Sequence, residues 1–388
     1  MSASPTSLPP TYVAGFHDEA SVRAMPYRPL GRDKRLVSAL SFGGSSLAGV
    51  FRSDITEDEN IRVVVAAIRA GINIIDTAPW YGFGESERIL GRALKQVPRD
   101  AYYLHTKVCR YLPSVLEQFD FTYDRTIKSV EESLERLQVE YLDCVQVHDP
   151  EFAPNLDIVV SEVLPALAFL QKAGKIRRIG ITGYPLDALR YLADHCPPEI
   201  VIDTALSYCH FNLHTTQLID SGTLSYLGAK GIGVICGSPL SMGLLTNRGP
   251  PAWHPSSPAL KARCVAAAKA ANERGVDIAH LALHFALFSN TDVPTIMVST
   301  ASLARLEHDL SIVRGEIPLT KLEEEVLETL RKDWFSGPEA LACASWEGRE
   351  VAEYWIKVGK IDRTAYTIAH AKFPHLIAQV ETQHSHKS

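Results

Sequence analysis

None of the seven cysteines, at positions 109, 144, 196, 209, 236, 264 and 343, forms a C-x-x-C pair, and none clusters with the 14 histidines at metal-ligand spacing. A disulfide framework and a bound metal are therefore not expected, and Cys144 beside Val145 reads as a small buried hydrophobe. No stretch reaches the roughly 18 apolar residues of a membrane span, and the apolar run Val63 to Ile68 stops at Arg69. The opening M-S-A-S-P-T-S-L-P-P has neither the basic nor the apolar region of a secretory signal, so a cytoplasmic location without a membrane partner is expected. A surplus of positive charge is also missing. The 39 Lys and Arg face 45 Asp and Glu, a formal net charge of −6, which argues against a nucleic-acid partner. The nearest approach to a glycine-rich phosphate turn, F-G-G-S-S-L-A-G at 42 to 49, lacks the G-x-G-x-x-G order and so weighs against a doubly wound dinucleotide sheet.

What remains is ordinary globular composition, 46% hydrophobic and 22% charged. Residues 1–25, with three prolines and small polar residues before any periodic pattern, read as a flexible N-terminal arm. From Pro26 onward, short β-rich runs alternate with helical patterns: Ser38 to Phe42, Asn73 to Asp76, Tyr102 to Lys107, Asp143 to His148, Arg178 to Thr182, Val201 to Leu206, Gly233 to Gly237 and Thr295 to Val298. All but the last spacing fit one strand–helix unit. The fold class expected is therefore α/β, a (β/α)8 TIM barrel over residues 26–337 with extra helices and a C-terminal extension, residues 338–388. Thr56-x-x-Glu59 and Thr320-x-x-Glu323 are capping boxes opening two of the helices. The last spacing, 62 residues between the starts at 233 and 295, holds an insertion whose Pro-rich part, 249–258, is expected to lie over the barrel mouth.

In such a barrel the chemistry sits where the strands end. The second, third and fourth strands close on Asp76, Lys107 and His148, and Tyr81 follows the second in D-T-A-P-W-Y-G-F-G-E-S-E. Any one of these has an ordinary structural reading as a cap, a surface lysine, a core histidine or loop packing. Four ionisable residues at one end of three consecutive strands are harder to explain that way, because unpaired buried charge is expensive. The set describes a proton-transfer site built on a phenol. Lys107 is expected to lower the Tyr81 pKa toward neutrality, Asp76 to hold the lysine, and His148 to orient a substrate oxygen.

The spacings of Asp76, Tyr81, Lys107 and His148, together with Y-R-P-L-G and V-S-A-L-S-F-G near the start, resemble the aldo-keto reductases. Within that superfamily G-K-I-R-R-I-G-I-T-G-Y-P-L at 174–186, L-S-Y-C-H-F at 206–211 and S-P-L-S-M-G-L-L at 238–245 resemble the L-galactose dehydrogenases, with D-arabinose and L-fucose dehydrogenases as neighbouring branches. The resemblance implies an NAD(P)-dependent oxidoreductase that oxidises the anomeric carbon of a small-molecule sugar to the aldonolactone, with Tyr81 as general acid/base. It implies cofactor contacts at Gly44, Ser45, Thr182, Ser238, Leu240, Gly243, Ser299, Thr300, Arg305 and Asp309. NAD is favoured because Ser299 stands where NADP-preferring relatives often carry a lysine; NADP is left open by Arg305. Many relatives have Ser-Asn in place of Thr182-Gly183, a Gln near Leu206 and a stacking aromatic in place of Gly237. Trp80, Tyr111, Trp253 and His254 are the candidate substrate walls and lid. The alternatives are an NADPH-dependent reductase of simple aldehydes and a nucleotide-sensing binding protein without turnover. The extension carries Val351, Tyr354 and Trp355 at helical spacing; it is expected to pack outside the catalytic machinery, on its own barrel or on a second subunit of a homodimer.

Overall fold

The computed structural model describes residues 8–49 and 55–359. Its centre is a closed barrel of eight parallel strands: β1 (Leu40–Gly43), β2 (Ile74–Asp76), β3 (Tyr103–Val108), β4 (Cys144–His148), β5 (Ile179–Gly183), β6 (Ile202–Tyr208), β7 (Gly233–Gly237) and β8 (Thr295–Val298). Each coincides with one of the eight β-rich runs, within one or two residues at its ends. The strands run β8-β1-β2-β3-β4-β5-β6-β7, and Ile296 opposite Leu40 closes the seam. Apolar runs such as Leu104 and Val145 are buried on both faces, inside the barrel and against the helices, as a parallel sheet requires. Both capping boxes are present. Thr56 caps Glu57–Arg69 and Thr320 caps Lys321–Thr329, with Glu59 and Glu323 reaching back to the cap nitrogens.

A hairpin that the sequence reading passed over, Tyr27–Leu30 paired with Arg35–Ser38, covers the other end of the barrel. Its Leu30 and Val37 are fully buried and pack with Ile74, Leu206 and Ile235. Arg28 donates to the carbonyls of Val293 and Leu287, just before β8. The expectation of a flexible arm gives way over residues 8–25. Asp18 caps a helix, Glu19–Ala24, whose Val22 is buried, and Thr11 accepts a hydrogen bond from Asn73. The apolar positions Val22 and Met25 are too few for a periodic signal, yet both are buried against the barrel helices.

The insertion between β7 and β8 supplies two helices, Pro258–Glu273 and Ile278–Phe288, and its Pro-rich segment does lie over the mouth. The extension is the larger correction. Trp346 stacks on Tyr184 at 4.4 Å between ring centres, and the helix Arg349–Gly359 sets Tyr354 against Phe119 and Phe152 at 5.1 and 5.5 Å. Val351 and Trp355 are buried in the main core. The described part of the extension therefore lies across the catalytic end of its own barrel, because the apolar ring left exposed there by Phe119, Phe152 and Tyr184 offers its stripe a surface to cover.

Candidate active site

At the ends of β1 to β8 opens a cavity of about 970 Å³. Parallel register puts Lys107 beside Gln146 and His148 beside Thr182, so the polar strand ends reach its floor together. Lys107 is 1% exposed and forms an ion pair and hydrogen bond with Asp76 Oδ1; its Nζ also donates to the Thr77 carbonyl at 2.8 Å. Gln146 Nε2 donates to Asp76 Oδ2 at 2.7 Å, so the carboxylate is held on both oxygens. The ammonium lies 4.9 Å from the centre of the Tyr81 ring, which meets His148 edge to face at 6.0 Å.

The electrostatics differ from expectation at Tyr81. Burial pushes its phenol up, the Lys107 ammonium pulls it down, and Asp76 adds to the upward push; the net direction is up rather than toward neutrality. A lone lysine does not offset a phenolate stripped of water when that lysine is itself shared with a carboxylate. Burial also works against the Lys107 ammonium, but Asp76 and Tyr81 outweigh it, so the lysine stays charged. His148 is held well below its ordinary pKa by burial and by Lys107 and Arg110, so it is neutral at pH 7, and its Nδ1 has no partner among the described residues. The floor is thus a protonated phenol, a fixed cation and a neutral imidazole converging on one space.

Of the residues named from sequence, Asp76, Tyr81, Lys107 and His148 line this cavity, as do Trp80, Ser45, Thr182, Ser238, Leu240, Gly243, Ser299, Arg305, Asp309 and Trp253. Four do not. Gly43, not Gly44, faces the cavity; Gly44 is turned toward Ser86, whose hydroxyl donates to its carbonyl. Thr300 turns inward to accept from the Ser302 amide at the start of Leu303–Val313. The Tyr111 hydroxyl accepts from the Cys109 amide, and its ring lies under Arg125. His254 is buried with both ring nitrogens engaged, donating to the Ser241 carbonyl and accepting from the Ser256 amide; it pins the loop, leaving Trp253, half exposed, at the mouth.

The sequence reading also missed residues. Arg110 lies over Trp80 at 4.2 Å and donates to Asp149 Oδ2 at 2.6 Å, and both line the cavity with Tyr208 and Glu350. No local pattern marks them. Cys109 and Asp149 take left-handed backbone at the ends of β3 and β4 (φ 82° and 52°), so alternation breaks there and Arg110, not Tyr111, points inward. All seven cysteines are free, and burial pushes the Cys144 thiol up to about 12, consistent with an unreactive core residue.

The cavity of about 970 Å³ is lined by strand ends and by the loops after the seventh and eighth strands. Gly43 and Gly237 give bare backbone at its inner end. A Cβ on Gly243 would meet the Gly249 carbonyl and Pro250 at 3.3 Å, so glycine is needed where two loops nearly touch. Ser238, Ser241 and Met242 share its left-handed backbone, and the Ser241 and Gly243 amides donate to the Ser238 and Leu240 carbonyls, which fixes the tight turn that lines the cavity. Arg305 at the outer end is ion-paired to Asp309 at 2.9 Å. Among the described residues no group of His, Cys, Asp and Glu is placed to hold a metal, and no helix is long and apolar enough to cross a membrane.

Residues 39–331 match the profile described as the Aldo/keto reductase family. The chain is 45% identical over 302 residues to L-galactose dehydrogenase of Arabidopsis thaliana, covering 77% of this chain and 91% of that protein. It is 35% identical over 317 residues to D-arabinose 1-dehydrogenase of Saccharomyces cerevisiae, covering 78% and 92%. Among solved structures, glycerol dehydrogenase AKR11B4 from Gluconobacter oxydans matches with TM-score 0.60 at 26% identity, over 80% of this chain and 97% of that one. The aldo-keto reductase AKR11C1 from Bacillus halodurans in its holo form gives 0.62 at 24%, over 81% and 99%, a likeness of fold. Enzymes of this group work with NAD(P)(H). With the barrel, the four polar strand ends and a profile spanning the strands that carry them, the chain belongs to the Aldo/keto reductase family.

Proposed function

We propose that the protein is an NAD-dependent aldose 1-dehydrogenase, oxidising the anomeric carbon of an L-galactose-like sugar to the aldonolactone. The observation that carries this reading is the buried Lys107–Asp76 pair set 4.9 Å from the Tyr81 ring centre, on the floor of a cavity that also holds His148. The names of the relatives, an L-galactose and a D-arabinose dehydrogenase, support the substrate class.

A bound nicotinamide dinucleotide supplies the hydride acceptor for C1. The protein's own residues manage the proton. Oxidation runs through the ionised form of Tyr81, the minor form against the upward push of burial and the one the fixed Lys107 ammonium favours; that phenolate takes the proton of the C1 hydroxyl as the hydride leaves, and the phenol so formed returns its proton to solvent before the next turnover. Asp76, clamped by Gln146, keeps Lys107 charged and in place. Neutral His148 supplies a ring nitrogen to the same oxygen and fixes its direction. Trp80 and Trp253 offer flat apolar surface to the C–H face of a sugar ring.

The preference for NAD rests on the outer end of the cavity. Ser299 brings no charge there, and the Arg305 guanidinium is engaged by Asp309, which leaves less of it for a 2′-phosphate. The test is an absorbance assay of L-galactose, L-fucose, D-arabinose and simple aldehydes with both cofactors in both directions. Sugar-dependent formation of NADH, with kcat/KM higher for NAD than NADP, is expected. Reduction of simple aldehydes with NADPH and no sugar oxidation would replace this reading with that of a general reductase. Cofactor binding without any turnover would make the protein a sensor.

A further inference from the structure

We infer that Glu350, carried in by the C-terminal extension, is a substrate-specificity residue that accepts hydrogen bonds from sugar hydroxyls. The inference rests on the aldose reading above and deepens it.

Glu350 is the second residue of the helix Arg349–Gly359 and lines the cavity whose floor is Tyr81 and His148. It stands where that cavity adjoins a smaller one of about 490 Å³ under the Pro-rich loop. Its carboxylate receives no hydrogen bond and makes no close ion pair among the described residues, and the residue is only half-buried, so the carboxylate stays open to the cavity. Burial pushes it up to about 7, Arg110 pulls against this, and Asp149 and Glu353 reinforce it. A carboxylate that faces a ligand cavity with no protein donor is open to accept hydrogen bonds from what binds there.

Two neighbouring side chains line the same cavity. Asp149 is 1% exposed and its Oδ2 is bonded to Arg110, so the pair is held in place beside Glu350. The cavity therefore presents the Glu350 carboxylate beside the paired Arg110 and Asp149, with Trp80 under the Arg110 guanidinium and Trp253 at the mouth. An alkyl aldehyde offers the Glu350 carboxylate no donor. A polyhydroxylated substrate can donate to it, while its C–H face lies on Trp253. Sites built to hydrogen-bond a hydroxyl discriminate strongly against analogues lacking it.

The test compares wild type with Glu350→Gln and Glu350→Ala at saturating cofactor. The oxidative substrates are L-galactose and L-fucose. The reductive pair is glyceraldehyde and propanal, which differ in hydroxyls. Glu350→Ala is expected to lower kcat/KM for sugars and glyceraldehyde at least tenfold, mostly through KM, and to change propanal by less than threefold. Glu350→Gln, which keeps an acceptor oxygen, is expected to recover most of the loss. Sugar affinity of the holoenzyme, followed by tryptophan fluorescence, should weaken in parallel whether or not the sugar turns over. Equal losses for glyceraldehyde and propanal, or no loss for either, would overturn the inference. A wild type that oxidises no aldose yet prefers glyceraldehyde through Glu350 would instead overturn the aldose reading and leave this one standing.

Discussion

Replacing Lys107 by methionine tests the proton-transfer arrangement at its most exposed point. The ammonium lies 4.9 Å from the Tyr81 ring centre, and at an effective dielectric of about 20 a unit charge at that distance is worth roughly 3 kcal/mol to a developing phenolate. Losing it should lower kcat for sugar oxidation on the order of 10²-fold and move the acidic limb of the pH–rate profile upward, because Tyr81, already raised by burial, loses the group that opposes the rise. The variant also strands Asp76, fully buried, with Gln146 as its remaining partner, and removing one member of a buried pair costs about 3–5 kcal/mol of stability. The Lys107→Met, Asp76→Asn double variant separates the two effects: it should regain much of the thermal stability while its turnover stays low. The assays are stopped-flow or steady-state NADH absorbance across pH 6–10 and thermal melting of all three proteins. A single variant with wild-type kcat and an unmoved pH profile would refute the role of the ammonium. A double variant that regained activity together with stability would show that Lys107 acts only by holding the fold.

Tyr81→Phe should abolish turnover, by roughly 10²- to 10⁴-fold, while fluorescence titration shows the cofactor still bound; activity within threefold of wild type would remove the phenol from the reaction. Asp309 is pushed up to about 7, chiefly by burial, with Arg305 opposing. Its folded pKa thus exceeds the unfolded value near 3.9, the folded state holds the proton more tightly, and wild-type stability falls as pH rises from about 4 to about 7. Asp309→Asn escapes that loss, so its advantage in unfolding free energy should grow by roughly 2–3 kcal/mol between pH 5 and pH 8; a pH-independent difference would contradict the shift. Truncation after Gly337 removes buried Trp346, Val351 and Trp355, each worth about 1.5–3 kcal/mol. It should lower the melting temperature and raise KM for sugars, and an unchanged melt with unchanged KM would place the extension elsewhere.

The barrel was legible because its strands are buried on both faces and so read as short apolar runs at regular spacing. The four polar residues were legible because Asp76, Lys107 and His148 each close such a run at the same end and Tyr81 follows the first of them within five residues. The pieces that escaped notice fall where those regularities stop. Arg110 and Asp149 lie at left-handed backbone just past β3 and β4, where inside and outside no longer alternate. The hairpin strands are four residues each, with Pro29 in the first, below the length at which a period registers. Val351, Tyr354 and Trp355 announced a helix with an apolar stripe, but the surface it covers comes from Phe119, Phe152 and Tyr184, and no local pattern connects segments so far apart. Glu350 was unreadable for the same reason: its place is set by where its helix lands.

The hairpin beneath the barrel also bears on how the ring of strands comes to be closed. The seam joins Leu40 to Ile296, 256 positions apart, and bringing such distant segments together costs an open chain about 5 kcal/mol of configurational entropy. Arg28 grips the carbonyls of Leu287 and Val293 from within that same hairpin. Once that grip forms, the chain still to be closed at the seam shrinks to about 15 residues, and the remaining entropic cost to roughly 2.5 kcal/mol. The Arg28 contact spans 265 positions and bears the long closure itself, so the seam is left with a short one, and the edges of β1 and β7 lie close to their partner once the hairpin is docked.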